Sequence, residues 1–400
     1  MTFVFDPFAD GFGDDPYPHY AKLREIAPAY HHPLGFWLLS RFDDVVRLQR
    51  ASHSVDERDL THVPLWKRDT GVPPSENRPM RGLSMLDQNP PNHTRLRRLV
   101  SQAFTRRAVD ALEPRIGELV DEALDRMAAK GEVDVVAELA FPLPFTVISE
   151  MLGTPAVAHD RLRELTGTLV RALEPMPSPS LHAEIRAANK ELTEIIRELI
   201  DGKRTRPGDE LITGLLAARH ESDALTGDEL VAQVMFLYIA GHETTVNLLA
   251  NGILALARDP GQARRLREDP KLAANAVEEL SRYDSSVHLM RRITREPLSV
   301  QGVEIPAGSY VIACIAAANR DPGFWGQDAD ELRLDRSDAH RNVSFGAGAH
   351  HCLGAPLARL EARIAFSRFV RRFPEAVVER VRWNGRINVR GPAELTLAVR

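Results

Sequence analysis

Between Thr226 and Pro260 runs a stretch of about 32 residues at 1.5 Å each, a rod of roughly 48 Å if helical. Both ends are marked. Thr226-Gly-Asp-Glu229 has the capping-box pattern, in which threonine and glutamate satisfy first-turn amides reciprocally, and Pro260 supplies the stop. Leu230 to Ile239 is apolar nearly all round, so this half of the rod must be enclosed. A bilayer is the rival enclosure, but the uncharged run is too short to span one and is followed by His242, Glu243, Asn247 and Asn251. The chain must therefore wrap itself around a central helix. In the middle of that helix stands Ala240-Gly-His-Glu-Thr-Thr245, polar where packing alone would want leucine. A mid-helix Gly241 costs about 1 kcal/mol relative to alanine, and threonine hydroxyls can bond back to carbonyls a turn earlier. The expectation is a disturbed helix with room opened on one side; a solvated kink or a subunit contact is the plainer alternative.

The second constraint lies near the C-terminus, where Phe345-Gly-Ala-Gly-Ala-His-His-Cys-Leu-Gly354 reads as a loop that presents one thiolate. Gly346 and Gly348 permit turns that residues with a Cβ resist, and Phe345 can cover one side. A helix follows through Leu357, Leu360, Ile364 and Val370, so Cys352 lies near a helix N-terminus, where amide N–H groups and the dipole stabilise an anion. Gly354 leaves room for a flat group to approach the backbone. A lone cysteine is most often a small buried hydrophobe, but burial needs neither spaced glycines nor a flanking histidine. Structural zinc needs about four ligands at close spacing, whereas the only other cysteine, Cys314, sits in the apolar run Val311 to Ala318. A single axial thiolate is what one type of haem iron requires.

Phe345, Gly348, Cys352 and Gly354 meet the pattern Phe-x-x-Gly-x-x-x-Cys-x-Gly, and here the chain resembles the cytochrome P-450 family of haem-thiolate monooxygenases, in particular its soluble bacterial branch. The resemblance extends over nearly the whole chain, because three further motifs occur in the family's order. It implies a mainly α fold with a small β region (α+β), the triangular cytochrome P-450 fold, with haem b between the long central helix and the cysteine loop. On that resemblance Cys352 is the metal ligand, and Ala240, Gly241, Glu243 and Thr244 form the oxygen-activating groove, with glutamate where many relatives carry aspartate. Glu279 and Arg282 of Glu279-Leu-Ser-Arg282 are structural, locking the region around the cysteine loop with Asp321-Pro322 and Arg336 downstream. Ser286 stands where the family usually has a proline. Haem propionates need partners, since unpaired buried carboxylates cost several kcal/mol each. The fitting positions are His93 and Arg97, four apart on one helix, together with His350 and Arg292, Arg291 being the alternative to the last.

The activity so implied is insertion of one oxygen atom of O2 into a mainly apolar substrate. A bacterial secondary metabolite such as a polyketide, macrolide or terpenoid is expected, with electrons passing from NAD(P)H through a ferredoxin reductase and a ferredoxin. Epoxidation, desaturation or oxidative coupling are alternative outcomes of the same chemistry; a non-catalytic haem sensor would have no need of the Glu243–Thr244 pair. Pocket candidates are Phe236, Leu237, Ile239 and Ala240 on the central helix, and Val287, His288, Leu289 and Met290 after the second motif. The family has its mobile lid at the position of Pro175-Met-Pro-Ser-Pro179. It uses the region of Leu60 to Met85, here bearing Lys67, Arg68, Asp69, Glu76 and Arg78, for substrate choice. Arg98, Arg106 and Arg107, in company with Arg95, Arg97, Arg359 and Arg363, offer a basic landing patch for an acidic ferredoxin.

Composition agrees. With 400 residues, 44% of them hydrophobic, and no Gly/Ser-rich linker or charge block, residues 1–400 read as one domain. Helical stripes recur, as in Ile185, Ala188, Leu192, Ile195 and Leu199, or Ile116, Leu119, Ala123 and Met127. Convincing strands are few: Phe36 to Leu39, a hairpin over Leu298 to Ile305, and Tyr310 to Ile315. A net charge of −5 gives no case for nucleic-acid binding. The first ten residues show no basic region ahead of an apolar core, and two cysteines make no disulfide framework, so a soluble, cytoplasmic, monomeric enzyme is expected.

Overall fold

The computed structural model describes residues 3–65, 82–174, 179–220 and 223–399. Residues 175–178 of the lid expected at Pro175 to Pro179, and the charges of residues 67–78, lie outside the described residues.

The central helix runs Gly227–Arg258, as its end signals require. Thr226 and Glu229 close the capping box: the Glu229 N–H donates to Thr226 Oγ1 at 3.2 Å, and the Thr226 N–H donates to Glu229 Oε2 at 2.9 Å. The helix is uninterrupted through Ala240–Thr245, so the expected break is absent. One glycine is too small a cost to break a helix held by packing along its length, and Gly241 has a packing reason to be there. A Cβ on it would come within 3.2 Å of Ile148 in the helix Pro142–Leu152, so the missing side chain allows close approach.

The chain divides into two compact units. The first takes in Met1–Arg68, Arg115–Pro142 and Thr244–Arg400 and holds every strand among the described residues. Its four-stranded sheet has the order Ala29–His32, Phe36–Leu39, Tyr310–Cys314, Leu289–Ile293, antiparallel except for the middle pair, where Leu38 lies opposite Ile312. Tyr310–Cys314 is buried at every position because both faces are covered. Val311 and Ala313 join a core with Leu39, Phe42 and Trp325, while Tyr310, Ile312 and Cys314 join another with Phe12, Tyr20 and Leu38. The hairpin Leu298–Val300 and Val303–Ile305 turns through Gln301 and Gly302, both at positive φ as a two-residue turn demands. A further three-stranded sheet, Glu132–Asp134, Pro392–Ala398 and Val377–Trp383, is not among the expected strands. Two of its three strands belong to the last 24 residues, and the outer one, Val377–Trp383, is largely uncovered, so no buried apolar run announces it.

The second unit comprises Asp69–Pro114 and Leu143–Glu243 and is helical among its described residues. In the helix Pro179–Thr205 the buried line runs Ile185, Ala188, Leu192, Ile196, Ile200; Ile195 and Leu199, expected in that line, are only half-buried at its edge. Adjacent apolar pairs widen the stripe, and contact with neighbouring helices selects one member of each. No described helix is long and apolar enough to cross a membrane.

Candidate active site

The cysteine loop is built as its glycines suggest. Gly346 and Gly348 adopt φ of 73° and 72°, and the Cys352 N–H donates to the Phe345 carbonyl at 2.8 Å, closing the loop. At Gly348 a Cβ would meet the Gln49 carbonyl at 2.7 Å, so no other residue fits that turn. The Arg359 guanidinium stacks 4.3 Å from the centre of the Phe345 ring and pairs with Glu278 at 2.6 Å, fixing the loop's aromatic side. The post-cysteine helix, Ala355–Arg372, begins three residues past Cys352. Cys352 is exposed, and Gly354 leaves the space beside it open; a Cβ there would stand 3.9 Å from Sγ. Cys314 is the opposite case, a buried thiol whose pKa is pushed far up by desolvation.

The same unit contains a buried charge cluster. Glu279 and Arg282, on the helix Ala273–Tyr283, are both fully enclosed and form a two-pronged pair at 2.7 and 2.8 Å. Arg282 donates further to the carbonyls of Asn319, Ala329 and Glu331, and Arg336 joins Glu279 at 3.2 Å. Every charge in the cluster thus has multiple partners, the condition under which a buried pair holds rather than weakens a fold. Asp321 caps the turn that follows it, accepts from the Phe42 N–H at 2.9 Å and lies 3.5 Å from Arg24.

Arg291 and Arg292 separate by strand alternation. Arg291 reaches Glu57 at 3.3 Å, whereas Arg292 is buried, and its one hydrogen bond among the described residues is to the Arg291 carbonyl at 2.8 Å. Burial and the neighbouring cation push its pKa down to about 10. A buried guanidinium without a carboxylate, in the unit that also exposes a thiol in a glycine cradle, fits a planar prosthetic group that carries acid groups and takes sulfur ligation. His350 ends the single 3-10 turn Gly348–His350 and is half-buried. In the other unit, His93 is buried and Arg97 half-buried on the helix Asn92–Ala103.

On the central helix, burial is broken along one side only. Phe236, Gly241, Glu243 and Thr244 are half-covered and Ala240 is exposed, whereas Leu237, Tyr238, Ile239 and residues 245–256 are buried. The open positions Phe236, Ala240 and Glu243–Thr244 recur at helical spacing, so they form a stripe that begins apolar and ends in an acid–alcohol pair. Leu237 and Ile239 are not on its open part. His242 points elsewhere: Nδ1 bonds the Tyr238 carbonyl at 2.8 Å, and Nε2 lies 3.8 Å from Glu243 Oε2.

The four pocket candidates after the second motif do not share a face. His288 is fully enclosed, its Nδ1 3.2 Å from the Tyr20 hydroxyl and its ring packed against Tyr17 and Tyr20, so the structure takes it out of the candidate set. Desolvation holds its pKa well below the usual imidazole value. Leu289 packs with the Tyr20 core and Met290 with the core on the other side of the sheet, where its sulfur comes within 3.6 Å of a Cβ placed on Gly346. Val287 is half-buried and bridges to Val389. Of the expected basic patch, Arg98, Arg106 and Arg107 are exposed, with Arg98 against His220 and Arg106 3.6 Å from Asp110. Arg95 leaves that patch, since it is engaged by Asp223 and Glu229.

The family model "Cytochrome P450" matches residues 66–382. The chain belongs to the cytochrome P450 family. This P450 is 40% identical over 401 residues to cytochrome P450 107B1 of Saccharopolyspora erythraea, a match covering 97% of this chain and 96% of that protein. It is 42% identical to the vitamin D(3) 25-hydroxylase of Pseudonocardia autotrophica, over 92% and 89% of the two chains. The solved structure of P450 PksS of the Bacillus subtilis bacillaene polyketide synthase superposes with a TM-score of 0.89 at 33% identity, over 99% of this chain and all of that one. The α+β P450 fold and a monooxygenase activity follow, with haem b as the cofactor, O2 as co-substrate and electrons drawn from NAD(P)H. Bacterial P450s in general receive those electrons through ferredoxin and a reductase.

Proposed function

We propose that this P450 hydroxylates a bulky, mainly apolar small molecule of bacterial secondary metabolism, a polyketide, macrolide or terpenoid. The observation that carries the reading is the open stripe on an otherwise buried helix, apolar at Phe236 and Ala240 and ending in Glu243–Thr244. The names of two similar proteins, a polyketide-synthase P450 and a hydroxylase of vitamin D3, support an apolar substrate of this size.

Bound haem supplies oxygen activation and transfer. The residues around it have separable tasks in this proposal. Cys352 ligates through its thiolate, kept anionic beside the N-terminus of the post-cysteine helix. Arg292, with His93, Arg97 and His350, neutralises the propionates; Phe345, Gly348 and Gly354 shape the loop. Thr244 and Glu243 hold and pass a proton at the open side of the central helix, with Ala240 keeping a large side chain out of the way and Gly241 letting that turn pack close to Ile148. Phe236 and Ala240, with Val287 and Met290 at its margins, exclude water and orient the substrate. Arg98, Arg106 and Arg107 receive a ferredoxin, the chain works as a single domain and monomer, and the enzyme is cytoplasmic.

A library of polyketides, macrolides, terpenoids and steroids, titrated against the ferric enzyme, tests the substrate class. The reading expects hits that displace iron-bound water, seen as a low-to-high-spin shift, and that gain one oxygen atom from labelled O2. Hits confined to small polar molecules, or products that lack the label, contradict it. The product also tells hydroxylation from epoxidation, desaturation or coupling.

A further inference from the structure

The apolar half of the central helix contains one polar exception, Gln233. It is fully enclosed, and its amide bonds in both directions: Nε2 donates to the Leu83 carbonyl at 2.9 Å, and Oε1 accepts from the Met85 N–H at 3.1 Å. Pairing with residues i and i+2 of another segment copies one rung of a β-ladder, and it fixes that segment's distance and direction relative to the helix. The segment is internally braced as well. Ser84 Oγ donates to Asp87 Oδ2 at 3.0 Å, the Asp87 N–H donates to the Ser84 carbonyl at 3.1 Å, and the Gln88 side chain donates to the Gly82 carbonyl. Within this turn Met85 is buried, while Leu86 beside it stays 41% exposed.

Gln233, Ala240 and Thr244 point within about 20° of one direction on a helix of 3.6 residues per turn. Gln233 is covered and Ala240 is open, so the backbone at 83–85 covers the stripe at one end and gives out before Ala240, about 10 Å further along the axis. If packing alone mattered, leucine would serve at position 233 as it does at 230 and 237. The buried amide instead makes the position of the loop specific, since leaving either half of it unpaired costs about 1–3 kcal/mol.

We propose that Gln233 is a positioning residue: by anchoring buried Met85 it holds Leu86 as a fixed apolar wall at the far end of the open stripe, and this wall receives the part of the substrate remote from the carbon that is oxidised. The inference rests on the reading of the stripe as the substrate-facing surface. The wall takes aliphatic or ring surface, and its height above the helix decides which carbon is presented.

The test uses the haem-loaded enzyme and two azole probes, imidazole, which is too small to reach the wall, and clotrimazole, which is bulky and apolar. Each is titrated spectrally, while hydrogen exchange at the Met85 amide reports the clip directly. In Gln233→Leu, exchange at Met85 speeds up about tenfold, as the loss of one hydrogen bond predicts. Clotrimazole binds about fivefold more weakly because its contact surface is no longer held in place, and imidazole binding stays within about twofold. Leu86→Ala weakens clotrimazole alike with Met85 exchange unchanged. Should Gln233→Leu not fold, Gln233→Glu keeps the acceptor for Met85 and sets a carboxylate against the Leu83 carbonyl, and the same split between probes is expected. Unchanged exchange at Met85 in Gln233→Leu, or, in either Gln233 variant, unchanged clotrimazole affinity or equal weakening of both probes, overturns the proposal. A wild-type protein that binds no imidazole would sink the haem reading instead, with Met85 exchange still reporting the clip.

Discussion

Thr244 and Glu243 lie on the open side of a helix whose other sides are packed, so their replacement should cost chemistry more than stability. Thr244→Ala is expected to keep haem and substrate affinity but to divert reducing equivalents to hydrogen peroxide; peroxide formed per NAD(P)H consumed is the measurement, and full coupling in the variant would remove Thr244 from proton handling. Arg292 is the converse, a buried cation with no carboxylate among the described residues, expensive until an anion arrives. Arg292→Met should weaken haem retention while leaving the haem-free protein at least as stable, read by haem transfer to apomyoglobin and by urea unfolding; a variant equally retentive of haem contradicts the role. The sequence left Arg291 and Arg292 as alternatives because the direction of a strand residue depends on register, which Glu57 and the pairing of Arg292 with Val311 make visible only in three dimensions. His288 was misplaced for the same reason, an imidazole in an apolar run being indistinguishable in sequence from a pocket lining until Tyr17 and Tyr20 are seen to enclose it.

At the scale of elements, the helix Ala273–Tyr283 and the post-cysteine helix each carry buried charged groups. Arg282→Met leaves Glu279 with fewer partners in an enclosed site and is expected to destabilise by about 3–5 kcal/mol, since it breaks a buried pair from one side. Urea unfolding checks this, and a loss below about 1 kcal/mol would place the pair among ordinary surface bridges. Glu361, fully buried in the post-cysteine helix, has its pKa pushed up by desolvation to about 8 from 4.5. The folded protein therefore keeps this proton over a range in which the unfolded chain releases it. Its contribution to stability is fully present below about pH 4.5 and is lost as pH rises to about 8. Glu361→Gln stays neutral and should gain on the wild type at pH 8 but not at pH 4.5; identical pH profiles would refute the shift. The elements with strong end signals were legible, above all the central helix with its capping box and Pro260, and the hairpin at Gln301–Gly302. The C-terminal sheet was not, because its exposed strand offers no buried alternation to read.

For the whole molecule, the motifs gave the family while their spacing in sequence said little about burial. Arg95 and Arg98 are three residues apart on one helix, yet one is engaged by Asp223 and Glu229 and the other is exposed. Replacing Arg98 and Arg107 with glutamate is expected to slow the first electron transfer from ferredoxin and to flatten its salt dependence, since steering by exposed charges is screened within about 8 Å at physiological ionic strength. Stopped-flow reduction kinetics that do not change would discard the patch. The central claim, that Cys352 ligates haem iron through its thiolate, is tested most directly by the carbon monoxide difference spectrum of the reduced protein. The account predicts the red-shifted Soret band of a thiolate-bound ferrous haem, lost in Cys352→Ser. A band at the position of nitrogen-ligated haem in the wild type, or a red-shifted band that survives in Cys352→Ser, would contradict it.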